Sequence, residues 1–220
     1  MSTKNVDYIL KYIIVGDAAV GKSTLNWEVL NLLLRYVFNT FKSDYQLTIG
    51  VEFGEKNIKY NNKTYQLQLW DTAGQEQFRS ITRAYFKNSV CALVVYDITN
   101  KSTFENVKQW IEDCTNYMPK NGYIVLVGNK CDLEEKREVS KDEGQQLADL
   151  YGLLFFETSA KTEINVNEVF IKSLEEIAKK IESNFYDLSD ANCGIKMLDK
   201  TTNNKLSNKK ISNEKKKSCC

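Results

Sequence analysis

Apolar residues along this chain fall into two alternating rhythms. Short unbroken apolar runs at 12–15, 91–96, 124–127 and 153–156 are each followed by a polar loop. Runs of this length and bounding predict strands of a parallel sheet covered on both faces. Segments 52–60 and 64–70 flank Asn61-Asn62-Lys63, and the alternation at Tyr65, Leu67 and Leu69 predicts a hairpin. Between these runs the spacing changes to that of helices. Residues 24–38 are apolar-rich and free of Gly and Pro, which predicts a long helix. Ser102-Thr103-Phe104-Glu105 and Ser140-Lys141-Asp142-Glu143 both fit a capping box. Behind the first, Phe104, Val107, Ile111 and Cys114 share a helix face. Asn165 is placed to cap a helix whose buried stripe is Val166, Val169, Phe170, Leu174, Ile177 and Ile181. Strand and helix in alternation predict an α/β fold: a mostly parallel central sheet with one antiparallel edge strand, and helices on both faces. In such sheets ligands bind at the carboxyl ends of the strands.

The periodic pattern stops at Glu182, which sets a folded domain of 1–182 and a tail of 183–220. That tail is rich in Asn, Ser, Thr and Lys and is expected to be disordered. Composition sharpens this division. The 220 residues carry a net charge of +1, which argues against a nucleic-acid partner. Residues 191–220 hold eight Lys against Asp199 and Glu214, a net of +6, so the remainder is −5. The chain has no His, which excludes His-based acid–base chemistry and His metal ligands. Its six Cys lack metal-ligand spacing, and neither a secretory leader nor an apolar run of membrane-spanning length is evident, so reduced thiols and a cytosolic setting are expected.

Candidate chemistry sits at the predicted strand ends. Gly16-Asp17-Ala18-Ala19-Val20-Gly21-Lys22-Ser23 matches Gly-x4-Gly-Lys-Ser between a strand and a helix, the context a phosphate-binding loop requires. Backbone N–H groups and a helix N-terminus there wrap a polyphosphate. Lys22 would neutralise the β- and γ-phosphates, and the Ser23 hydroxyl would ligate Mg²⁺. Asp71-Thr72-Ala73-Gly74-Gln75 follows the third strand. Asp71 suits an outer-sphere Mg²⁺ contact, Gly74 lets a backbone N–H approach the γ-phosphate, and Gln75 can orient the attacking water. Asn129-Lys130-Cys131-Asp132 follows another strand. The Asp132 carboxylate can accept from the N1–H and exocyclic amine of guanine, a donor pair adenine lacks. Glu157-Thr158-Ser159-Ala160-Lys161 ends the last strand, where a backbone N–H can meet the guanine O6.

Over roughly 10–181 these motifs resemble the Ras superfamily of small GTPases and, within it, the Rab family. The Rab-like stretches are Ile49-Gly50-Val51-Glu52-Phe53-Gly54, residues 67–74, Gln75-Glu76-Gln77-Phe78-Arg79-Ser80-Ile81-Thr82 and Leu93-Val94-Val95-Tyr96-Asp97-Ile98-Thr99. Residues 47–54 and 78–83 look most like the branch acting between the endoplasmic reticulum and Golgi or on early endosomes. The resemblance implies the small-GTPase fold, GTP/GDP and Mg²⁺ as cofactors, and GTP hydrolysis that is slow without an activating protein. It implies that Thr24 also contacts the nucleotide, that Phe41 lies near the guanine, and that Thr48 joins Ser23 and Asp71 at Mg²⁺ in the GTP state. Asn129, Lys130, Asp132, Ser159, Ala160 and Lys161 would hold the base. Phe53, Trp70 and Tyr85 would form the aromatic surface that effectors read. Implied partners are an exchange factor, a GTPase-activating protein, effectors, a prenyl-transfer escort and a GDP-dissociation inhibitor, acting on a monomer.

The chain ends in Cys219-Cys220 behind Lys215-Lys216-Lys217. In a resembling Rab the Cys pair carries two geranylgeranyl groups. Two lipids anchor stably where one is marginal, and each Lys adds about 1 kcal/mol at an anionic surface. The implied location is the cytoplasmic face of endomembranes, Golgi/ER or early endosome, in exchange with cytosol.

One departure is large. Twenty-five positions separate Ser23 from Thr48, where the family places about eighteen. Removing seven residues at 26–32 restores the family register. An alternative reading follows: a nucleotide-bound interaction module with little hydrolysis, if the insertion disturbs the first switch. An ATP-dependent P-loop enzyme is a further rival, opposed by Asp132.

Overall fold

Strand β1 (Tyr8–Gly16) sends Tyr12 and Ile14 into one core and Ile13 and Val15 into another, and all four are fully buried. The computed structural model describes residues 6–18, 20, 32, 36–37, 51–72 and 79–198. Within them, β1 is joined by β2 (Val51–Tyr60), β3 (Lys63–Thr72), β4 (Cys91–Asp97), β5 (Tyr123–Asn129), β6 (Leu154–Thr158) and β7 (Ile195–Met197). The described helices are α1 (Arg79–Phe86), α2 (Lys101–Glu105), α3 (Val107–Tyr117), α4 (Lys141–Tyr151) and α5 (Val166–Glu182).

The sheet order is β2-β3-β1-β4-β5-β6, parallel except where β2 pairs antiparallel with β3. This is the α/β architecture the pattern implied, with β2 as the antiparallel edge. Its hairpin turns at Asn61 and Asn62, whose φ values of 47° and 60° suit the two-residue turn that matches strand twist. Strand β1 lies between β3 and β4, so the carboxyl ends of these three strands face one crevice.

Helix α5 covers one face of the sheet. Its expected stripe of Val166, Val169, Phe170, Leu174, Ile177 and Ile181 is buried throughout. Helices α3 and α4 cover the other, packing Val107, Trp110, Ile111, Leu147 and Ala148 on Ala92, Val94 and Leu126. Each fully buried aliphatic or Phe side chain contributes about 1.5–3 kcal/mol, so these stripes fix which face each helix takes.

Three expectations change. The helix expected to start at Ser102 is capped two residues earlier by Asn100, whose side chain accepts from the Ser102 amide at 3.1 Å. The chain then breaks at Asn106, so Phe104 falls on α2 and is only partly buried. Ser140 does form the capping box: its amide donates to Glu143 Oε2 at 2.8 Å and its hydroxyl accepts from the Glu143 amide at 3.2 Å. Lys101 on the same carboxylate, together with those bonds from Ser140, holds Glu143 down to about 2. Asn165 stands at the N-cap of α5 but makes no side-chain cap; its amide donates to the Glu157 carbonyl at 2.8 Å.

The boundary at Glu182 also moves. The folded chain continues to Leu198, with Tyr186, Cys193 and Ile195 buried. Strand β4 begins only opposite Tyr12, which leaves the first residues of β1 without a partner on that side. Strand β7 fills the gap, antiparallel, with Ile195 across from Leu10 and Met197 across from Tyr8. An open run of backbone donors and acceptors is costly inside a fold, and this pairing satisfies it. Gly194 makes the approach possible: a Cβ there would sit 2.4 Å from the Val90 nitrogen, and its φ is +79°. Three apolar positions inside a polar segment suffice, and averaging over the whole tail hides them. Residues 199–220 lie outside the described residues.

Of the predicted helix over 24–38, the described residues Leu32, Tyr36 and Val37 are helical. Leu32 is fully buried, and the Tyr36 ring stacks on Phe170 with centroids 3.8 Å apart. Leu32 is therefore a core residue, so the surplus is better counted as residues 25–31. Removing 25–31 or 26–32 yields the same chain, because Leu25 and Leu32 exchange places. In the helix the sequence predicts over 24–38, seven residues would span about two turns with only about 20° of rotation, so the deletion would keep the phase. The deleted chain should keep the fold and its GTP affinity, with a melting temperature equal to or above that of the full chain. Thermal unfolding with GTP and Mg²⁺ tests this; loss of nucleotide on deletion would make the seven residues integral to the site.

Candidate functional site

The first site element is the end of β1. Gly16 has a φ of +148°, and a Cβ there would lie 2.1 Å from the Val95 carbonyl oxygen. Only Gly lets the chain leave β1 so close to β4. Val20 is fully buried a few residues on, so the loop is pinned at both described ends. The Asn129 amide, at the end of β5, reaches the Val20 carbonyl at 3.4 Å. Its oxygen accepts from the Thr158 hydroxyl of β6 at 3.1 Å. The ends of β5 and β6 and the loop after β1 are thus joined through one buried Asn side chain.

Two further loops meet beside it. The Ser159 hydroxyl donates to Asp132 Oδ1 at 2.6 Å and accepts from the Thr162 amide at 3.0 Å. Lys161 Nζ lies 4.0 Å from Asp132 Oδ2. Asp132 is thereby oriented by Ser159, and its carboxylate keeps acceptor capacity for a ligand with paired donors. Cys131 donates its amide to the Thr158 carbonyl at 3.0 Å, which ties the two loops through backbone as well. Burial pushes its thiol up to about 11, so it stays protonated. Lys130 takes a φ of +70° and pairs its amino group with Asp97 Oδ2 at 2.6 Å. Asp97 in turn accepts from the Thr99 amide and hydroxyl.

Asp71 is fully buried at the end of β3, opposite Ile14 of β1. The next residue, Thr72, donates its hydroxyl to the Ile14 carbonyl at 2.9 Å. A carboxylate at that position is the hard oxygen donor that suits Mg²⁺. The crowded Gly16 backbone and the oriented Asp132 fit a phosphate and a base with donors. The residues the structure describes therefore fit a purine nucleotide with Mg²⁺.

The sequence model of the Ras family matches residues 11–179. The chain is also 52% identical over 178 residues to the Ras-related protein Rab-2B of Dictyostelium discoideum, covering 81% of this chain and 85% of that protein.

The chain belongs to the Ras family.

Within the superfamily it is a Rab small GTPase. In this Rab protein the expected base-holding residues Asn129, Lys130, Asp132, Ser159, Ala160 and Lys161 come together on two adjacent loops. Gly16 ends β1, and Asp17, Ala18 and Val20 lie on the loop after it, but the Asp17 side chain is turned toward α3. Ala19, Gly21, Lys22, Ser23, Thr24, Phe41, Thr48, Gly74, Gln75, Cys219 and Cys220 lie outside the described residues.

Phe53, Trp70 and Tyr85 form one contact series, with centroids 4.9 Å apart for Phe53–Trp70 and 5.5 Å for Trp70–Tyr85. Phe53 is 46% exposed, so the series reaches the surface. Lys11 braces it: Nζ lies 5.5 Å from the Trp70 centroid and donates to the Tyr85 and Lys87 carbonyls at 2.8 and 2.7 Å. Those carbonyls belong to the end of α1, where a cation is favoured.

Sequence reasoning missed two supports. Arg137 grips Glu157 with both terminal nitrogens, at 2.6 and 3.1 Å, and so straps the loop after β5 to the end of β6. The paired carboxylates of Glu134 and Glu157 raise its pKa further. Asp97 ends β4 as the other site residues end their strands, and that position alone marks it.

Proposed function

We propose that this Rab GTPase is a switch that binds GTP or GDP through Gly16–Gly21 backbone with Lys22, Ser23 and Thr24, reads guanine through Asp132, and regulates vesicle transport on endomembranes. The observation that carries the reading is the meeting of three loops: Asn129 on Val20 and Thr158, beside Ser159 on Asp132. It brings a phosphate loop and a carboxylate reader to one end of one sheet. Phe41 would flank the base, with Lys130 and Lys161 beside it and the Ala160 backbone N–H toward the guanine O6.

Mg²⁺ would be held by Ser23, Thr48 and Asp71, and when bound it neutralises charge on the β- and γ-phosphates. The remaining chemistry is positioning. Lys22 stabilises charge that grows on the phosphates, Gly74 sets a backbone donor at the γ-phosphate, and Gln75 orients the attacking water. Intrinsic hydrolysis would be slow, and an activating protein that supplies an Arg would contribute about 10³–10⁵ in rate.

Among the described residues no helix is long and apolar enough to cross a membrane. Attachment would come from lipids on Cys219 and Cys220 with Lys215, Lys216 and Lys217 beside them. The described chain ends with the Leu198 amide on the Asp7 carbonyl, at the amino end of β1. Phe53, Trp70 and Tyr85 would face effectors, while exchange factor, activating protein, escort and GDP-dissociation inhibitor act on the same monomer.

The test is Gln75→Leu. Leu has a similar volume but cannot hydrogen-bond water. The variant should bind GTP as the wild type does and hydrolyse it at least about tenfold more slowly, with and without an activating protein. Single-turnover phosphate release measures this. An unchanged rate would remove Gln75 from the water-positioning role. A wild type that stays GTP-bound even with an activator would favour the low-turnover interaction module.

A further inference from the structure

Asp17 presents a problem for a phosphate loop. It adds a negative charge one residue past Gly16, where a polyanion is to be bound. The structure shows how that charge is held. Asp17 Oδ1 accepts from the Trp110 indole Nε1 at 2.8 Å, and Asp17 Oδ2 accepts from the Asn106 amide Nδ2 at 2.7 Å. Each oxygen has its own donor, so both side-chain torsions of Asp17 are fixed. Both donors come from one place: Asn106 is the junction between α2 and α3, and Trp110 lies on the first turns of α3. Trp110 is 5% exposed, and its ring is packed in the core under α3, which makes it a rigid arm. Bonds to an ionised acceptor are roughly twice as strong as neutral ones.

We propose that Asp17 is a positioning residue of this Rab GTPase. Clamped by Asn106 and Trp110, it locks the start of the phosphate loop to α3 and holds its own carboxylate away from the nucleotide. The proposal rests on the phosphate-loop reading above. Its distinctive consequence is electrostatic. With the clamp intact, the charge of Asp17 anchors the loop. With the clamp broken, the same charge is free to swing toward the phosphates, and repulsion grows with the number of phosphate charges. GTP is therefore penalised more than GDP.

The experiment uses the full chain with Mg²⁺ and follows dissociation of fluorescent GTP and GDP analogues. Asn106→Ala removes one donor from a solvent-exposed side chain, and Trp110→Phe removes the other while keeping most of the packing. Each should speed GTP release about threefold to thirtyfold, and GDP release less. The excess for GTP should shrink when salt rises from about 0.1 to about 1 M, where the screening length falls from about 10 to about 3 Å. Combining either change with Asp17→Asn should return the GTP-to-GDP ratio toward that of the wild type, because the unclamped group is then neutral. The proposal is overturned if Asn106→Ala releases both nucleotides at wild-type rates. It is equally overturned if the losses are the same for both nucleotides and Asp17→Asn does not restore the ratio, which would leave Asn106 and Trp110 with helix packing alone. Should Trp110→Phe unfold, Asn106→Ala decides the matter. A wild type that binds neither nucleotide would refute the phosphate-loop reading instead.

Discussion

Lys22→Ala should bind neither GTP nor GDP at concentrations that saturate the wild type. Lys22 is the only cation in the loop that opens after β1, and the described ends of that loop are fixed by Gly16 against β4 and by the buried Val20. The backbone cradle survives the substitution; the charge that balances the β- and γ-phosphates does not. A charge-assisted hydrogen bond contributes about 1.5–3 kcal/mol, and Lys22 would make one to each of two phosphates. Losing both corresponds to about 10²–10⁴ in affinity. Equilibrium binding of a fluorescent nucleotide measures the loss. The melting temperature without nucleotide should hold, because Ala is compatible with loop and helix. A Lys22→Ala protein with wild-type affinity would remove the phosphate-loop reading altogether.

Asp132→Asn should exchange one base for another. The Asp132 carboxylate is oriented by the Ser159 hydroxyl at 2.6 Å, and it can take two donors from guanine. An amide in its place keeps one acceptor and turns a donor toward the exocyclic amine of guanine. Two donors then face each other, and a buried unpaired donor costs about 1–3 kcal/mol. Affinity for GTP should fall about 10²-fold or more once the charge-assisted bond is also lost. Xanthine carries an oxygen where guanine carries the amine, so XTP gains the contact that GTP loses. Competition of GTP and XTP for the variant should reverse the wild-type order. A variant that still prefers GTP would place base reading elsewhere than Asp132.

Much of the fold was legible because apolar period and strand length agree in this chain. Residues 91–96 are unbroken apolar, and β4 is buried at every position from Cys91 to Asp97. The stripe of α5 was read residue by residue from its spacing alone. What escaped reading depends on tertiary geometry. Strand β7 exists because β4 starts late beside β1, and no local pattern in Ile195-Lys196-Met197 announces such a gap. Asn100 displaced Ser102 as the cap because both fit the cap chemistry, and sequence cannot weigh two candidates two residues apart. The break at Asn106 escaped for the same reason, since no Gly or Pro marks it.

The candidate site divides in the same way. Its motifs stand as short contiguous strings, so Gly16, Asp71, Asn129, Asp132 and Ser159 were evident before any fold was known. Their supports come from elsewhere in the chain. The Asn106 and Trp110 partners of Asp17 are 89 and 93 positions away, and the Arg137 partner of Glu157 is 20 away. Lys11 reaches the carbonyls of Tyr85 and Lys87 from 74 and 76 positions away. A string names the group that touches a ligand, whereas the groups that hold it in place are selected by packing.

Single-turnover phosphate release tests the central claim most directly. The purified full chain is loaded with γ-labelled GTP or, in parallel, γ-labelled ATP, freed of excess nucleotide and followed after Mg²⁺ is added. The expected result is stoichiometric GTP retained on the protein and hydrolysed slowly in one exponential phase that an activating protein accelerates, with no ATP retained. Equal retention and turnover of ATP would contradict guanine reading by Asp132, and with it the assignment of this chain as a GTP switch.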